Sequence, residues 1–587
     1  MESCIESNYV LSKSDSLLEL KKRTGSFYTP SEIAYEISSN TLSDWLSTKN
    51  GNILQNLAGV TVLDPAVGDG IFLLSAGEWL FRTRIIAGDS RNPRVIRKEI
   101  AESSLYGVDV QVNAANACIE KISDWVSQGN QEQDSQVPLS INIKKGDSLL
   151  GEIRSTSIGQ QLFDQFNWRE RFPLIFNRDR SGFDIILGNP PYGNLLNNDD
   201  KMQVGAFCRD QISGGRKGTW NVASLFIARA YELLREGGYL GFLIPNSILR
   251  VGQFQKTRQF LLNKMQMNRI IDYGSPFEDV TLEMIGIFGR RSMEDAISLI
   301  EIKSRREDIS ISNSINPEIF ERGRIFSIYH DELFEEIVEK GKQGILRANR
   351  GRDIPKKHVR KQEDKEYSIP YITSGRSVKR YCIDDKYRIF TDNWYRSDSK
   401  LSESFNEIFL VATKNYPYPR CVLKPKGTIH GGGIVRITSR NQDVSDRVAG
   451  LFLNSEIMKY VCIKYLTNYS QLTTCLNTGI IEDLPLMIPK YPDIFETLFN
   501  NLQYLYSNQT SIAQMSHFLD DATNALIYSM YFDEIDNLEE DFKEAIGRFR
   551  NINPKYLEEA LLELDDRIQV ALKSKIVKRI RKSPRIS

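Results

Sequence analysis

The stretch LDPAVGDGIFL, from Leu63 to Leu73, joins the end of an apolar strand to a glycine-rich turn and the start of a helix. Asp64 is expected to end the strand, and Gly68 and Gly70 lie in the turn. In a doubly wound sheet, nucleotide-like ligands bind at the edge formed by the carboxyl ends of the strands, where such turns lie. Glycine lets the backbone approach the ligand there, and the helix start offers free N–H groups.

Strands and helices alternate in the same way from about residue 55 to 305, which predicts an α/β fold with a doubly wound, mostly parallel, Rossmann-like sheet. The predicted strands lie in SSLYGVDVQ, INIKKGDSLL, FDIILGNPP, GGYLGFLIPNS and NRIIDYGS. The segment NVASLFIARAYELLREGG is predicted to be a helix that its glycines close. We predict three domains, at 1–305, 306–495 and 496–587. The second is an irregular α+β domain and the third is helical.

The composition is that of an ordinary globular protein, with 76 basic and 76 acidic residues and a formal net charge of zero. Contact with a nucleic acid would therefore require local clusters of basic residues. The seven cysteines and four histidines are scattered, so we expect a reduced compartment and no metal site. The N-terminus is polar and no run of 18 apolar residues occurs, so we expect a cytoplasmic protein without membrane contact.

Three predicted strands each deliver one acid to the same edge of the sheet. Asp64 ends the first, Asp109 ends the next, and Asp147 follows the third. Asp109 is suited to accept hydrogen bonds from ribose hydroxyls, and Asp147 from an adenine amino group. Leu73 occupies the position of the third glycine of a dinucleotide site, and a pyrophosphate would be repelled by three carboxylates. The pattern favours an adenosine ligand without phosphate.

The segment FDIILGNPPYGN, from Phe183 to Asn194, is an apolar strand that runs into Asn189, two prolines and Tyr192. Pro190 and Pro191 provide no backbone N–H, so strand pairing must stop there. A turn accounts for the prolines, but the group of an amide, a rigid diproline and an aromatic ring also indicates a binding site.

These segments, taken in order, resemble a known enzyme family. DPAVGDGIFL, GVDV, GDSL and NPPY are similar to motifs I to IV of the S-adenosylmethionine-dependent DNA methyltransferases that act on amino groups. KKRTGSFYTPSEIA resembles their motif X, and ASLFIARAYELL, GGYLGFLIPNSIL and IIDYGSPFEDV resemble motifs V to VIII. With motif X first, the order is that of the gamma class. The resemblance covers roughly Arg23 to Phe288.

The resemblance implies a site-specific N6-adenine methyltransferase of a restriction-modification system, with S-adenosylmethionine as cofactor and no metal requirement. Residues 1–305 would be the catalytic domain and 306–495 the target-recognition domain. The implied cofactor contacts are Tyr28, Thr29, Pro30, Asp64, Ala66, Gly68, Gly70, Asp109, Val110, Asp147, Ser148 and Phe226.

The catalytic residues would be Asn189, Pro190, Pro191 and Tyr192. The lone pair of an adenine amino group is delocalised into the ring. The Asn189 side-chain carbonyl and the Pro190 backbone carbonyl can accept its two hydrogens and localise that lone pair. Tyr192 offers a ring for stacking a base that has left the duplex, and Phe277 is implied to support the same base.

Basic residues cluster in two segments of the second half, ILRANRGRDIPKKHVRK and TSGRSVKRY. Such clusters beside glycine suit phosphate contacts and insertion into a groove, so we expect double-stranded DNA as the partner. The expected DNA contacts are Arg347, Arg350, Arg352, Lys356, Lys357, Arg376, Lys379 and Arg380. The basic C-terminus KSKIVKRIRKSPR is read equally well as a DNA contact or as a frayed helix end.

Several alternatives stay open. A fused restriction enzyme would need a nuclease cluster, for which Asp295, Glu301 and Lys303 are the nearest pattern. Structured RNA, a release-factor glutamine and N4 of cytosine are alternative acceptors, and a DNA-binding module without activity is a further alternative. We expect a monomer, with a separate cognate restriction endonuclease as a possible partner.

Overall fold

The computed structural model describes residues 29–128, 139–150, 166–213, 218–278, 281–292, 298–323, 325–361, 365, 367–383, 387–390, 410–413, 418–471, 476, 478–508, 513–547 and 553–586. Tyr28 and Asp295 lie outside these ranges. The chain divides into two compact units, Met1–Phe326 and Ser327–Ser587. In the described part of the chain, no helix is both long and apolar enough to cross a membrane.

The first unit is built on a nine-stranded sheet in the order β3-β2-β1-β4-β5-β7-β6-β8-β9. Neighbouring strands from β3 to β5 are parallel, whereas β7 is antiparallel to both β5 and β6. The prediction of a doubly wound, mostly parallel α/β sheet is confirmed. The strands are β1 Val62–Asp64, β2 Leu105–Asp109, β3 Asn142–Lys145, β4 Phe183–Gly188, β5 Leu234–Pro245, β6 Met265–Gly274, β7 Met284–Arg291, β8 Ile300–Ser304 and β9 Ser312–Ile315.

Helices connect and flank the strands of this sheet. They are α1 Ser31–Ser47, α2 Ile53–Ala58, α3 Ile71–Ile86, α4 Pro93–Ser103, α5 Val112–Ser127, α6 Trp168–Arg171, α7 Pro173–Phe176, α8 Asn198–Cys208, α9 Val222–Leu233 and α10 Gln255–Lys264. All six residues of β4 are buried, which explains why the strand reads as a continuous apolar run. Apolar residues of α1, α3, α4 and α5 pack with those of β1, β2 and β4 into one core.

Two details of the first unit differ from the sequence prediction. The prediction that glycines close α9 is wrong, because the helix ends at Leu233. The next residue, Leu234, is only 1% exposed and already pairs with Phe183 as the first residue of β5. The chain enters the sheet before it reaches the glycines, and Gly237, at φ 73°, lies where the β4–β5 register shifts. The unit also extends to Phe326 rather than 305, because β9 pairs with β8.

The second unit contains two small sheets, a hairpin and helices. The sheets are ordered β10-β19-β16-β17 and β11-β15-β12-β18, and β13 pairs with β14. The strands are β10 Leu346–Arg350, β11 Val359–Arg360, β12 Tyr367–Ile372, β13 Val378–Lys379, β14 Cys382–Ile383, β15 Tyr387–Phe390, β16 Leu410–Thr413, β17 Cys421–Leu423, β18 Ile429–His430 and β19 Ile434–Ser439.

The helices of the second unit pack with these sheets, and one compact unit therefore spans the two segments that the sequence analysis divides at 495. They are α11 Glu332–Lys340, α12 Asp446–Leu453, α13 Glu456–Tyr460, α14 Thr478–Glu482, α15 Pro492–Ser507, α16 Ala513–Tyr531, α17 Glu539–Ile546, α18 Pro554–Leu562, α19 Asp565–Leu572 and α20 Lys575–Arg581.

Candidate active site at the carboxyl edge of the sheet

The loop between β1 and α3 has a backbone that requires glycine. Gly68 and Gly70 both have positive φ, 55° and 88°, a region that residues with a Cβ rarely adopt. A Cβ on Gly70 would also lie 2.6 Å from the Cys118 sulfur on α5, whereas a Cβ on Gly68 would meet open space. Gly70 is thus needed for packing and for the turn. Gly68 leaves room next to the backbone, as a site for a bound ligand requires.

Asp64, the last residue of β1, is 1% exposed. Its Oδ1 accepts a hydrogen bond from the Ala66 N–H at 3.0 Å. Burial raises the pKa of Asp64 to about 8, the charges of Asp109 and Asp69 act in the same direction, and the Ala66 hydrogen bond opposes them. A buried carboxyl of this kind gains stability when a cationic group comes next to it.

The other two acids of the edge help to shape the loops in which they lie. Asp109 accepts hydrogen bonds from the N–H groups of Gly68, at 2.9 Å, and Gln111, at 2.8 Å, and burial raises its pKa. Asp147 accepts from the N–H groups of Leu149 and Leu150, at 2.8 and 3.0 Å. Since β3, β2 and β1 are parallel neighbours, their ends place the three acids along one edge, as expected from the sequence.

Ser148 and Val110 complete this part of the edge. The Ser148 hydroxyl is buried and donates to the Pro65 carbonyl at 2.5 Å, which ties the third loop to the first. Val110, directly after β2, is 61% exposed, so an apolar side chain faces solvent at the point where β2 ends. Phe226, on α9, is 5% exposed and lies in the core.

The end of β4 lies directly against Asp64. Gly188 has φ 149°, and a Cβ at that position would lie 2.7 Å from Asp64 Oδ1. The next residue, Asn189, donates from Nδ2 to the Thr29 hydroxyl at 3.2 Å. Three segments that are far apart in sequence therefore meet at one point: the loop after β1, the Asn-Pro-Pro-Tyr turn, and the Thr-Pro before α1.

Asn189 has an unused hydrogen-bond acceptor. Its Oδ1 is buried and has no hydrogen-bond partner among the residues that the structure describes. A buried carbonyl oxygen without a partner is unfavourable by about 1–3 kcal/mol, so such an atom in a native fold indicates a strained or functional site. The amide is oriented by its other end, because the Thr29 hydroxyl accepts from Nδ2.

Tyr192 and Phe277 pack against the same apolar core. Both are half-buried and contact the apolar core formed by helices α1, α3, α4 and α5 and the strands of the sheet. Burial raises the pKa of the Tyr192 hydroxyl well above its usual range. Phe277 lies in the connection between β6 and β7. Pro190 is buried and Pro191 is half-buried.

The sequence analysis misses one residue that positions the turn. Asn221 caps α9 by accepting from the Ala223 N–H at 3.1 Å, and the same Oδ1 also accepts from the Gly193 N–H at 3.3 Å. In return the Gly193 carbonyl accepts from the Val222 N–H at 2.9 Å. The end of the Asn-Pro-Pro-Tyr turn is thus fixed to a helix start. An Asn before an apolar helix is the signal that could reveal this role.

The basic residues of the second unit differ in how they are engaged. Seven of the eight expected DNA contacts are exposed: Arg347, Arg350, Arg352, Lys356, Lys357, Arg376 and Lys379. Arg350 is partly engaged, since its Nε donates to the Gly432 carbonyl at 2.7 Å and a terminal nitrogen lies 3.2 Å from Asp353.

Arg380 is held within the unit. Both of its terminal nitrogens donate to the Asp520 carboxylate at 2.8 Å, and the Tyr506 hydroxyl donates to the same carboxylate at 2.6 Å. Its guanidinium is therefore a structural partner of α16. The basic face of the second unit is the set of exposed cations Arg347, Arg350, Arg352, Lys356, Lys357, Arg376 and Lys379, and Arg380 does not belong to it.

The C-terminal basic segment is folded rather than frayed. Val577 and Ile580 of α20 are fully buried. Arg579 pairs with Asp331 at 2.9 Å, and Arg581 pairs with Glu456 and Asp521 at 2.9 and 2.7 Å. These two arginines stabilise the second unit, whereas the lysines of the segment are exposed.

Two of the three residues that suggest a nuclease, Glu301 and Lys303, form an ion pair with each other, whereas Asp295 lies outside the described residues. Glu301, on β8, lies 2.5 Å from both Arg269 and Lys303. These contacts outweigh burial and lower the pKa of Glu301. In the described parts of the chain, no group of three or more His, Cys, Asp or Glu residues is arranged to hold a metal ion.

Part of the first unit is similar to known proteins. Residues 103–277 match the family model of the Eco57I restriction-modification methylase. The type II restriction enzyme and methyltransferase RM.Eco57I of Escherichia coli is 25% identical over 300 residues, which are 47% of this chain and 29% of that protein. The type II methyltransferase M.VspI of Vibrio sp. (strain 343) is 24% identical over 325 residues, which are 54% of this chain and 60% of that protein.

A solved structure of the type IIL restriction-modification enzyme MmeI in complex with DNA is similar in fold. It has a TM-score of 0.54 and 12% sequence identity, covering 93% of this chain and 76% of that one. The chain spans less than two thirds of the length of either curated relative described above. The expected resemblance to restriction-modification methyltransferases is confirmed.

Proposed function

We propose, from the restriction-modification methylase segment at residues 103–277, that this protein transfers a methyl group from S-adenosylmethionine to the N6 amino group of an adenine in duplex DNA. The modified adenine would be turned out of the helix, and the protein would act as the modification enzyme of a restriction-modification system. The observation that carries the proposal is the position of Asn189, with its buried Oδ1 unpartnered among the described residues and its Nδ2 bonded to Thr29.

The residues of the cofactor edge fit S-adenosylmethionine. Its methionine amino group is cationic, and the buried Asp64 is the carboxylate that gains most from such a partner. Asp109 ends β2, where a carboxylate can accept from ribose hydroxyls, and Val110 offers an exposed apolar surface for a purine. S-adenosylmethionine, when bound, supplies an electrophilic methyl group on a sulfonium.

Asn189 and Pro190 would prepare the amino group for attack. Asn189 Oδ1 and the Pro190 carbonyl would each accept a hydrogen bond from one N–H of the amino group. These bonds draw the nitrogen toward tetrahedral geometry and localise its lone pair. The prolines and the Gly193–Asn221 contact hold these acceptors still. Tyr192 and Phe277, packed on one core, would offer ring faces to the base.

The second unit would bind the duplex through its exposed cations. Arg347, Arg352, Lys356, Lys357, Arg376 and Lys379 are suited to phosphate contacts because their side chains are exposed. In a chain with zero formal net charge, DNA binding depends on such local clusters.

DNA cleavage is not part of the proposal. Glu301 and Lys303 are engaged in ion pairs on the sheet, which suits a structural role. RNA remains the rival acceptor because the amino-group chemistry would be the same. The acceptor therefore has to be measured directly.

Methyl transfer by the full chain tests the proposal. The protein is incubated with S-adenosylmethionine labelled in the methyl group and, separately, with unmethylated genomic DNA, ribosomal RNA and a release factor. We expect label only in DNA and only as N6-methyladenine after digestion to nucleosides. Label in RNA, in the release factor or as N4-methylcytosine would replace the proposed substrate, and affinity for the cofactor without transfer would point to a binding protein.

A further inference from the structure

Asn246 is a buried amide at the end of β5 that makes no contribution to local capping. The residue is 2% exposed, and its Nδ2 is buried without a hydrogen-bond partner among the described residues. It opens a short 3₁₀ turn, Asn246–Leu249, but no side chain caps that turn. A buried N–H donor without a partner is unfavourable by about 1–3 kcal/mol, so the fold alone gives no reason for an amide here.

Asn246 lies at the edge of the sheet where the target base is proposed to bind. Strand β5 lies between β4, which leads into the Asn-Pro-Pro-Tyr turn, and β7, which follows the connection that contains Phe277. The pairing of Gly188 with Phe242 aligns the end of β4 with β5, and Pro245 pairs with Met284 at the start of β7. Asn246 therefore lies at the carboxyl end of β5, between the two segments proposed to hold the base.

The backbone of Asn246 is held rigidly. Its N–H donates to the Glu283 carbonyl at 2.9 Å. The Glu283 side chain is 3.3 Å from Arg306, which also contacts Asp272 at 2.8 Å, and all three side chains are nearly fully buried. The backbone from which the Asn246 side chain extends is therefore fixed before a ligand arrives, and a fixed backbone is a first requirement for recognition of a flat base.

Asn189 and Asn246 offer complementary groups on neighbouring strands. The unpartnered atom of Asn189 is an acceptor and that of Asn246 is a donor. Adenine presents the matching pair: the N6 amino group donates, and the ring nitrogens on either side of it, N1 and N7, accept. One acceptor and one donor at the same edge can therefore recognise the amino group together with an adjacent ring nitrogen.

We propose that Asn246 donates a hydrogen bond to N1 or N7 of the target adenine while Asn189 accepts from N6. Asn246 would thus determine substrate specificity and orient the base for methyl transfer. The inference rests on the proposed function, since it concerns the same base.

The test combines variants of Asn246 with altered bases. The recognition site is first located by sequencing methylated DNA from cells that express the chain. Duplexes are then made with adenine, 1-deazaadenine or 7-deazaadenine at the target position, each of which keeps the exocyclic amine. The rate of single-turnover transfer is measured for the unaltered chain, Asn246→Ala, Asn246→Asp and the control Ser247→Ala, whose altered side chain belongs to the same turn.

We expect that removing the Asn246 amide and removing one ring nitrogen of the base lower the transfer rate through the same hydrogen bond. The unaltered chain and Ser247→Ala should lose about tenfold on one of the two deaza bases, the typical value of one neutral hydrogen bond. Asn246→Ala and Asn246→Asp should be about tenfold slower on adenine and lose nothing further on that deaza base. The base that shows this pattern identifies N1 or N7. Asp keeps the side-chain volume, so it covers the case in which Ala disturbs the turn.

Two results would overturn the inference, and they are distinguishable. If Asn246 variants and deaza bases give independent, multiplied losses, Asn246 does not contact a ring nitrogen although the proposed function stands. If the unaltered chain transfers no methyl group to adenine in DNA, the proposed function fails and the role of Asn246 fails with it.

Discussion

The carboxyl edge of the first unit and the basic face of the second unit are built in opposite ways. At the edge, Asp64 is 1% exposed, and the Oδ1 atom of Asn189 is buried without a hydrogen-bond partner among the described residues. On the face, cations such as Arg352 and Lys356 are exposed. Burial makes the first region unfavourable until a ligand pairs its groups, whereas the second is already solvated.

Because of this difference, we expect catalysis to depend on the edge and DNA affinity to depend on the basic face. A buried group that lacks a partner acts strongly on what it binds, because the surrounding medium screens it little. Exposed cations each contribute modestly to DNA affinity, and their joint contribution grows with the number of phosphates that they neutralise. Substitutions at the edge should therefore change catalysis or stability sharply, and those on the face should change DNA affinity gradually.

The largest effect is expected for Asn189→Ala. Removal of one preorganised acceptor should lower kcat by about 1,000-fold, and leave S-adenosylmethionine binding within about twofold. Single-turnover transfer and calorimetry measure the two quantities. Asn194→Ala, an exposed amide after the same turn, is the matched control and should keep normal rates. Equal losses in both variants would show that the turn as a whole, rather than the acceptor, matters.

Asp64→Asn should stabilise the unliganded protein. With a pKa of about 8, folded Asp64 keeps a proton that the unfolded chain releases above its ordinary pKa of 3.8. The folded state binds more protons in this interval, so stability falls as pH rises from about 4 to about 8. The variant lacks this fall and should be more stable by on the order of 2–4 kcal/mol at pH 8, with no difference near pH 4.

Urea denaturation across this pH range, without S-adenosylmethionine, measures the effect. Asp124→Asn, an exposed acid on α5, should follow the unaltered protein at every pH. The same Asp64→Asn chain should bind S-adenosylmethionine more weakly. A variant that is less stable at pH 8 than the unaltered chain would contradict the role given to burial.

Arg380→Ala should act on stability rather than on DNA binding. It leaves the Asp520 carboxylate, whose side chain is 13% exposed, without its bidentate partner. Loss of about 2–3 kcal/mol is expected by denaturation, with an unchanged salt dependence of DNA binding. The exposed Arg376→Ala should show the reverse: unchanged stability and weaker binding. If both arginines behaved alike, the distinction between engaged and exposed cations would fail.

The smallest effect per residue is expected on the basic face. Replacing Arg352, Lys356 and Lys357 by Ala should reduce the slope of log affinity against log salt by about one for each DNA phosphate that is no longer neutralised. A charge-matched chain with Lys573, Lys575 and Lys578 replaced by Ala is the comparison. Equal changes in slope in the two chains would mean that the C-terminal lysines belong to the DNA surface.

The sequence predicts the edge better than the face for a physical reason. Strands and glycine turns follow from local backbone limits, so the ends of β1, β2 and β4 and the glycine turn after β1 are readable in advance. Ion pairs depend on residues far apart in the chain. The Arg380–Asp520 pair joins residues 140 positions apart, and no local pattern marks it.

The same limit applies inside the site. The contact of Asn189 with Thr29 joins residues 160 positions apart, although motif order alone brings both into the prediction. The sequence around Asn221 and Asn246 indicates only that each residue stands at the start of a turn or helix. Their roles appear only when burial and partners are known. The glycines after α9 are also misread, because Leu234 pairs with the sheet before they can cap the helix.

The most direct test of the central claim is mass spectrometry of nucleosides from unmethylated DNA after incubation with the full chain and S-adenosylmethionine that carries a deuterated methyl group. The account predicts deuterated N6-methyladenine with the unaltered chain and with Asn194→Ala, and almost none with Asn189→Ala. Deuterium in another nucleoside, or full N6-methyladenine with Asn189→Ala, would contradict it.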